Sequence, residues 1–230
     1  MANRFCRYHL RTTNADAARA FYSDVVGASL WGADVIVTTL PERALAAGAP
    51  AHWLGHIGVR DVEATVQRFV AKGARQLGPT QDAEGVTFAA LLDPFGARFG
   101  VSAEIAAPRR APIVWHQLAS LEVEKSWALY EEAFGWTATG TQDLGAYGKQ
   151  HTFAWDDART DVGAAWSIVG RPEVHPQWLF FFEVEDVERA IARVRALGGL
   201  ALAPTRTPSN AIAVACDDAQ GAAFGLMQRA

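Results

Sequence analysis

Residues 21–27 read FYSDVVG and residues 129–135 read LYEEAFG, so one aromatic, acidic and apolar pattern that ends in glycine occurs twice, 108 positions apart. A repeat at this distance requires each copy to form a structural unit of roughly 100 residues, which is the size of an ordinary small domain. The chain of 230 residues is long enough for two such units. The repeat therefore predicts two domains of the same fold in tandem.

Two further segments repeat in the same order along the chain. Residues 52–63 (HWLGHIGVRDVE) match residues 177–188 (QWLFFFEVEDVE) at an offset of 125. Residues 93–100 (DPFGARFG) match residues 218–225 (DAQGAAFG) at the same offset. Because the offset grows from 108 to 125, the second copy carries 17 additional residues in the middle of its unit.

The boundary between the copies is marked by composition. Residues 107–112 read APRRAP, and small, proline-containing and charged stretches are typical of exposed linkers. We therefore predict a shortened first domain at 1–106, a linker at 107–112 and a second domain at 113–230.

Each copy reads as strand, helix and strands, and this order occurs twice per copy. Apolar spacing, capping residues such as Asn14 and Asp61, and terminal glycines such as Gly27 predict helices at 15–26, 62–72, 123–134 and 187–197. The additional residues of the second copy predict a hairpin of strands 147–155 and 162–169, joined by a turn at 156–160.

Strand alternation assigns the two faces of each predicted sheet. The residues expected to face the helices are Ile57, Val59, Phe99, Val101, Phe180, Phe182, Val184, Phe224 and Leu226.

These motifs carry a resemblance to a known family. The FY…G helix, the V-x-D-V-E opening of the second helix and the D-P-F-G turn at Asp93 resemble the glyoxalase/bleomycin-resistance/dioxygenase (vicinal-oxygen-chelate) superfamily; the second turn has Ala219 in place of the proline. The resemblance implies an α+β fold of two tandem domains. Each domain would consist of two βαβββ modules that form a curved mixed sheet with helices on one face.

The resemblance also implies where a metal would bind. Enzymes of this superfamily commonly hold a divalent metal with His and Glu ligands on the concave face of the sheet. Counted from the repeated motifs, these ligand positions are occupied by Arg7, Leu54, Gly100, Trp115, Leu179 and Gly225. None of these side chains is the expected ligand, so we expect neither a metal nor another cofactor. An alternative is a displaced metal site formed by His9, His52 and His56.

Without a metal, the remaining use of such a cleft is ligand binding. In the first copy, Arg7, His9, His52 and His56 would form a cationic cleft suited to a carboxylate or a phosphate. In the second copy, the predicted aromatic cleft contains Trp115, Gln117, Phe181 and Glu183, and Trp155 and Trp166 of the additional region are candidates for its walls. We expect the second copy to be the working one.

Three functions follow as hypotheses. The first is metal-free binding of a small organic molecule in the aromatic cleft. The second is a metal-dependent lyase, isomerase or dioxygenase with the displaced histidine site. The third is a non-catalytic interaction scaffold.

Composition narrows the range of partners. The net charge of −4 and the isoelectric point near 5.9 argue against a nucleic-acid or anionic-membrane partner, since either would require a basic face. The two cysteines form no disulfide or metal pattern, and no signal segment is recognisable, so we expect a cytoplasmic protein. A small-molecule ligand is the expected partner, and the sequence leaves a homodimer open.

Overall fold

The computed structural model describes residues 3–32, 34–46, 48–83, 85–103, 113–143, 145, 148–155, 160–207 and 209–230. The linker predicted at 107–112 and residues 156–159 of the predicted turn lie outside these residues. No helix in the described part of the chain is both long enough and apolar enough to cross a membrane.

The first copy contains two long helices, one short helix and a set of strands. Its helices are α1 (Ala15–Val25), α2 (Glu42–Ala46) and α3 (Val62–Ala71), with a 3-10 turn at Ala28–Leu30. Its strands are β1 (Phe5–Thr12), β2 (Val35–Thr39), β3 (His52–Val59), β4 (Arg75–Gln76), β5 (Gln81–Ala83), β6 (Val86–Leu92) and β7 (Arg98–Ala103).

The second copy repeats this course with additional strands. Its helices are α4 (Val123–Phe134) and α5 (Val187–Ala196). Its strands are β8 (Ile113–Ser120), β9 (Thr137–Asp143), β10 (Lys149–Ala154), β11 (Gly163–Ser167), β12 (Gln177–Glu183), β13 (Leu200–Ala201), β14 (Thr205–Arg206), β15 (Ile212–Asp217) and β16 (Ala223–Gln228).

The helices begin where the sequence places capping residues. The side-chain oxygens of Asn14, Asp61 and Asp186 each accept a hydrogen bond from the backbone N–H three residues later. These bonds satisfy one of the donors that a helix N-terminus leaves unpaired. At the other end, α4 stops at Gly135, which adopts the left-handed conformation (φ 69°) that favours glycine.

The strands form two mixed sheets, and the predicted α+β fold of two tandem domains is confirmed. The strand order is β2-β1-β3-β7-β6-β4 in one sheet, with β5 paired to β6. In the other sheet the order is β13-β15-β16-β12-β8-β11-β10-β9, with β14 paired to β15.

The pairing of β8 and β11 shows which strands the first copy lacks. β2 pairs in parallel with β1, and β11 pairs in parallel with β8, so β2 and β11 are equivalent. The strands without a counterpart are therefore β9 and β10, which pair with each other in an antiparallel hairpin. The predicted pairing of β10 with β11 exists. The prediction missed β9, however, because its sequence TATGTQD is polar and contains a glycine, which weakens the strand signal.

The chain divides into two compact units, and each unit takes one part of each copy. Among the described residues, the first unit comprises those within 3–7, 55–103 and 115–178, and the second comprises those within 8–54, 113–114 and 179–230. The sequence copies and the compact units therefore do not coincide.

In the first unit, three repeated motifs meet in one buried network. The Tyr130 hydroxyl donates to Asp93 Oδ2 at 2.9 Å and accepts from the indole N–H of Trp178 at 3.1 Å. Asp93 Oδ1 accepts from the backbone N–H groups of Phe95 and Ala97, which closes the D-P-F-G turn. Burial, followed by the neighbouring Asp93 carboxylate, raises the pKa of Tyr130 well above its usual value, so the hydroxyl stays protonated and remains a donor.

The second unit contains the equivalent arrangement. The indole N–H of Trp53 donates to the Tyr22 hydroxyl at 2.8 Å. Burial, followed by the Asp218 carboxylate, raises the pKa of Tyr22 well above its usual value. The rings of Phe182 and Phe224 pack against Tyr22, with centroids 5.9 Å and 5.1 Å from it. The residues of the repeated motifs therefore pack against one another on the helix-facing side of each unit, and their role there is structural.

Candidate functional site

The positions of the family's glutamate ligand are occupied by glycines, and a neighbouring ring lies over each one. In the first unit, His56 on β3 pairs with Gly100 on β7, and a Cβ added to Gly100 would lie 2.3 Å from His56 Nδ1. In the second unit, Phe181 on β12 pairs with Gly225 on β16, and a Cβ on Gly225 would lie 2.2 Å from Phe181 Cδ1. In both copies an aromatic ring fills the space that a glutamate side chain would need.

The other ligand positions do not fit a metal either. Leu54 and Leu179 are buried and carry no donor atom, and the guanidinium of Arg7 repels a cation. Trp115 is half-buried, and its indole N–H is a donor only. Among the described residues, no group of three or more His, Cys, Asp and Glu side chains is arranged to hold a metal ion. The residues present therefore do not fit the family's metal.

The structure brings two of the four predicted cationic residues of the first copy together. In the first unit, Arg7 and His56 both contact the ring of Phe88. The Arg7 guanidinium carbon lies 5.7 Å from the ring centroid, and the His56 ring lies edge-on at 5.6 Å. Arg7 and His56 are 2% and 1% exposed, so a solute would not reach them without displacing neighbours.

The other two predicted residues, His9 and His52, lie in the second unit and have partners there. His9 Nε2 is hydrogen-bonded to Thr38 Oγ1 at 2.6 Å, and His9 is buried. His52 Nδ1 lies 2.9 Å from the carbonyl oxygen of Pro50, and His52 is partly exposed. Burial also lowers the pKa of the Arg11 guanidinium.

Two predicted residues of the aromatic cleft, Phe181 and Glu183, also lie in the second unit. Phe181 is buried against Gly225, so its ring closes a space instead of lining an accessible one. Glu183 is exposed, and its Oε1 lies 3.3 Å from Nε of Arg229. Phe181 therefore lies in an apolar environment, whereas Glu183 belongs to an exposed ion pair, and the two do not line one cleft.

The remaining predicted residues, Trp115 and Gln117, belong to a half-exposed face in the first unit. Gln117 on β8 pairs with Ala164 on β11, and Trp166 on β11 pairs with Gln150 on β10. Paired residues point to the same side of a sheet, so one face carries side chains from three strands. We call this surface the second-copy face and define it by its half-buried members Trp115, Gln117, Gln150, Thr152 and Trp166.

Gln150 and Thr152 were not predicted from the sequence. Their place on this face depends on the register between β10 and β11, which no local pattern specifies. Trp155, a candidate wall residue, instead packs in an aromatic cluster with its ring 5.0 Å from His116 and 4.8 Å from Trp136.

The opposite face of the same strands packs against α4. Phe153 on β10 lies 5.3 Å from Trp127 of α4, ring to ring, and His116 on β8 is stacked on Phe5 at 5.0 Å. Burial lowers the pKa of His116 to about 4, so its ring is neutral at physiological pH. The alternation along β8 therefore separates a buried, neutral histidine from the half-exposed Trp115 and Gln117.

Two charged residues lie at the edges of the second-copy face, and each has a partner within the chain. The guanidinium carbon of Arg171 lies 4.8 Å above the ring of Trp166. The carboxylate of Asp161 accepts a hydrogen bond from the Thr139 hydroxyl, which also lies 3.0 Å from the hydroxyl of Thr152.

A separate pocket of about 550 Å³ opens at the start of α3 in the first unit. It shares no residue with the second-copy face. Its lining residues are Asn3, Val59, Arg60, Asp61, Ala64, Thr65, Arg68 and Ala133.

Sequence comparison identifies relatives of this chain. A family model described as the Glyoxalase/Bleomycin resistance protein/Dioxygenase superfamily matches residues 113–226, which form the second copy. Two relatives, from Mycobacterium bovis and Mycobacterium tuberculosis, carry the name "Putative glyoxylase CFP32". Each is 27% identical over 249 aligned residues, which cover 96% of this chain and 93% of the relative.

Solved structures of the same fold cover almost the whole chain. The 2,3-dioxygenase LapB from Pseudomonas sp. KL28 is similar with a TM-score of 0.65 and 14% identity, over 99% of this chain and 93% of that chain. The Mn(II)-bound glyoxalase from Novosphingobium aromaticivorans is similar with a TM-score of 0.63 and 16% identity, over 99% of this chain and 82% of that chain. At these identities the likeness shows the fold alone. The family model places the second copy, residues 113–226, in the glyoxalase/bleomycin resistance protein/dioxygenase superfamily, and the repeated motifs extend the similarity to the first copy.

Proposed function

We propose that this protein binds a small organic molecule without a metal, and that the second-copy face is the binding surface. The observation that supports this most strongly is the pair of glycines at the glutamate positions. At Gly100 and Gly225 the space for a carboxylate ligand is filled by the rings of His56 and Phe181. A protein that retained this fold for metal chemistry would need a ligand there.

The chemistry of the second-copy face supports binding. Trp115 and Trp166 offer large, half-exposed aromatic surfaces, which contribute strongly to the affinity of small ligands. Gln117, Gln150 and Thr152 add polar groups that orient a ligand. The strands of the first copy that lie in the same unit offer no such surface, because His56 on β3 and Phe88 on β6 are buried.

The test has a metal arm and a ligand arm. Untagged protein purified without chelators is expected to contain far less than one equivalent of manganese, iron, nickel or zinc by mass spectrometry, even after incubation with each ion. Planar aromatic compounds are then screened by thermal unfolding in the presence of EDTA. A ligand that stabilises the protein is expected to raise Tm equally with and without EDTA.

Two tryptophan variants test whether the ligand that raises Tm binds at the second-copy face. Trp166→Ala should abolish the ligand-induced rise in Tm. Trp31→Ala is the matched control, because Trp31 is also half-buried and carries the Arg19 guanidinium 4.7 Å above its ring, yet lies outside the second-copy face.

Other outcomes support the alternatives. Near-stoichiometric metal that is lost when His9, His52 and His56 are changed to alanine would overturn the proposal in favour of a metal-dependent lyase, isomerase or dioxygenase. Absence of both metal and ligand binding would favour a non-catalytic scaffold.

A further inference from the structure

The pocket at the start of α3 combines apolar and charged lining residues. Its volume is about 550 Å³. One wall is a face of α3 whose members are spaced three and four residues apart, namely Asp61, Ala64, Thr65 and Arg68. The buried Val59 and Ala133 add apolar surface, and the exposed Arg60 also lines the pocket. An apolar lining with a few charged groups is the usual composition of a small-molecule site.

Two guanidinium groups line this pocket. Arg60 and Arg68 form no hydrogen bond or ion pair with any residue in the described part of the chain. For Arg68 the sequence of α3 explains this, because the residues three and four before it are Thr65 and Ala64, which offer no carboxylate. Among the described lining residues the only carboxylate is that of Asp61, which caps the helix through Oδ1 and keeps its negative charge. The lining therefore carries two positive charges and one negative charge.

The repeat shows how the equivalent arginine is paired in the second unit. At the offset of 125, Arg68 corresponds to Arg193, whose Nε donates to Asp24 Oδ1 at 2.6 Å. At the offset of 108, Asp24 corresponds to Glu132 of α4. In the first unit, however, both oxygens of Glu132 accept from Lys72 Nζ at 2.8 Å. The lysine thus engages the carboxylate that is equivalent to the partner of Arg193, and the Arg68 guanidinium is left for a ligand.

The same comparison explains why this pocket is open and positive. Ala64 corresponds to Arg189, so a methyl group lies where the second copy has a long side chain. Arg60 corresponds to Glu185, so the charge at this position is reversed between the copies. The small wall residue and the first of the two guanidiniums are therefore not shared with the repeat.

We propose that this pocket binds a small organic monoanion, namely a compound with one carboxylate on a compact apolar body. Two guanidiniums match a carboxylate in charge and in hydrogen-bonding geometry. These guanidiniums, and not the capped N-terminus of α3, would hold the carboxylate. Asp61 would repel the second charge of a dianion. Val59, Ala64 and Ala133 provide contacts for the apolar body. The pocket is separate from the second-copy face and does not depend on the function proposed for that face.

The test compares three ligands of one shape and different charge. Cyclohexanecarboxylate, cyclohexanecarboxamide and cyclohexanecarboxamidine are titrated into the full chain at pH 7.5, and binding is followed by ¹⁵N NMR of the backbone amides. The saturated ring is chosen because the second-copy face is proposed to bind aromatic compounds. The carboxylate should bind about 10-fold more tightly than the carboxamide, because hydrogen bonds between charged groups are stronger than those between neutral ones. The amidine should bind more weakly than the carboxamide.

The amide shifts locate the site. The carboxylate should shift the amides of residues 60–68 until they saturate. The amides of residues 185–193, which form the equivalent stretch of the second copy, should not move, because Arg193 is already paired with Asp24. Saturable shifts outside residues 60–68 alone would place the carboxylate elsewhere and overturn the proposal.

Variants distinguish the pocket from general surface charge. Arg60→Ala and Arg68→Ala should each weaken carboxylate binding about fivefold or more with little change in Tm, because neither guanidinium has a partner in the described chain. Arg98→Ala is the matched control: Arg98 is exposed on β7, lies outside the pocket and carries the same charge. Ala64→Arg introduces the residue of the second copy, which adds a positive charge but fills the pocket, so binding should be lost.

The remaining outcomes would overturn the proposal. Equal binding of the carboxylate and the carboxamide would show that the guanidiniums do not recognise the anion. An effect of Arg98→Ala as large as that of Arg68→Ala, or tighter binding by Ala64→Arg, would show that surface charge attracts the carboxylate without a pocket. Inorganic phosphate, titrated in the same way, should bind more weakly than the carboxylate, since it has no apolar body; tighter binding would contradict the ligand class.

Discussion

In the first unit, the face that β3, β6 and β7 of the first copy form opposite their helix is packed, whereas the face that β8, β10 and β11 of the second copy form is half-exposed. In the first unit, His56, Phe88 and Ser102 are 1%, 7% and 0% exposed. Trp115 and Trp166, on β8 and β11 of the same unit, are half-buried. The first copy therefore fills its face in the first unit with its own side chains, whereas the second copy leaves its face in that unit partly exposed.

The two copies share one feature and differ in another. Gly100 and Gly225 are equivalent, and each accommodates a ring from the adjacent parallel strand. Beside this shared feature, the second copy retains the β9–β10 hairpin, and β10 contributes Gln150 and Thr152 to its face. The hairpin therefore supplies part of the surface that the first copy does not have.

The largest expected effect comes from truncating one aromatic residue on each face. Phe88→Ala should lower the free energy of unfolding by about 3–5 kcal/mol, because it leaves a cavity beneath Arg7 and His56. Trp166→Ala should cost only about 1 kcal/mol, since its ring is half-exposed and loses mainly the stacked Arg171. Urea unfolding of both variants measures the difference. Equal losses would mean that the two faces are packed alike.

The next largest expected effect is a dependence of stability on pH, caused by the buried His116 on β8. The pKa of His116 is lowered from 6.5 in the unfolded chain to about 4 in the folded one. Between these values the unfolded chain binds more protons, so stability rises with pH across the window and is lost as pH falls from 6.5 to about 4. Across the whole window this dependence amounts to about 3 kcal/mol.

The measurement is the difference in unfolding free energy between the unaltered chain and His116→Phe from pH 7 to pH 4. This difference cancels the opposing contributions of Asp93 and Asp218, whose pKa values are raised by burial. The exposed His175→Gln should follow the unaltered chain. A constant difference between the chain and His116→Phe would show that His116 titrates alike in both states.

A smaller effect on stability tests whether the His56 ring fills the space beside Gly100. Gly100→Ala should cost about 1–3 kcal/mol, because the new Cβ would lie 2.3 Å from His56 Nδ1 and the ring must move. Combining it with His56→Ala should cost less than the sum of the two single changes, since the double variant has no ring to displace.

The control for Gly100 is another strand glycine, on the half-exposed face. Gly140→Ala places its Cβ 3.0 Å from the Thr152 hydroxyl, which can rotate away, so the expected cost is below about 1 kcal/mol. Additive behaviour of Gly100→Ala with His56→Ala would contradict the close contact seen between the two residues.

Most of the fold was predictable because local signals agreed with one another. The bounds of α4 were predicted to the residue, since apolar spacing and the terminal Gly135 point to the same ends. The predicted contacts of Phe99, Phe182 and Phe224 with the helix side are also confirmed, through Phe69, Tyr130 and Tyr22. Helix α2 was missed, because its five residues carry no amphipathic pattern.

The site was less predictable because it depends on register. The sequence indicated Trp115, Gln117 and Trp166, but Gln150 and Thr152 join them only through the pairing of β10 with β11. Phe181 was assigned to an accessible cleft, yet its ring lies buried on Gly225. A missing side chain at Gly225 gives no local signal of what fills the space.

The smallest expected effect concerns the amides of the second-copy face. Gln117→Ala and Gln150→Ala should each change the free energy of unfolding by less than about 0.5 kcal/mol, because neither amide bonds to a described residue. Gln228→Ala is the matched contrast: Gln228 Oε1 accepts from the backbone N–H of Val187 at 3.0 Å, at the start of α5, and its loss should cost about 1 kcal/mol. Thermal and urea unfolding compare the three variants. A cost at Gln117 or Gln150 as large as that at Gln228 would mean that these amides stabilise the fold, and it would weaken their assignment to a ligand.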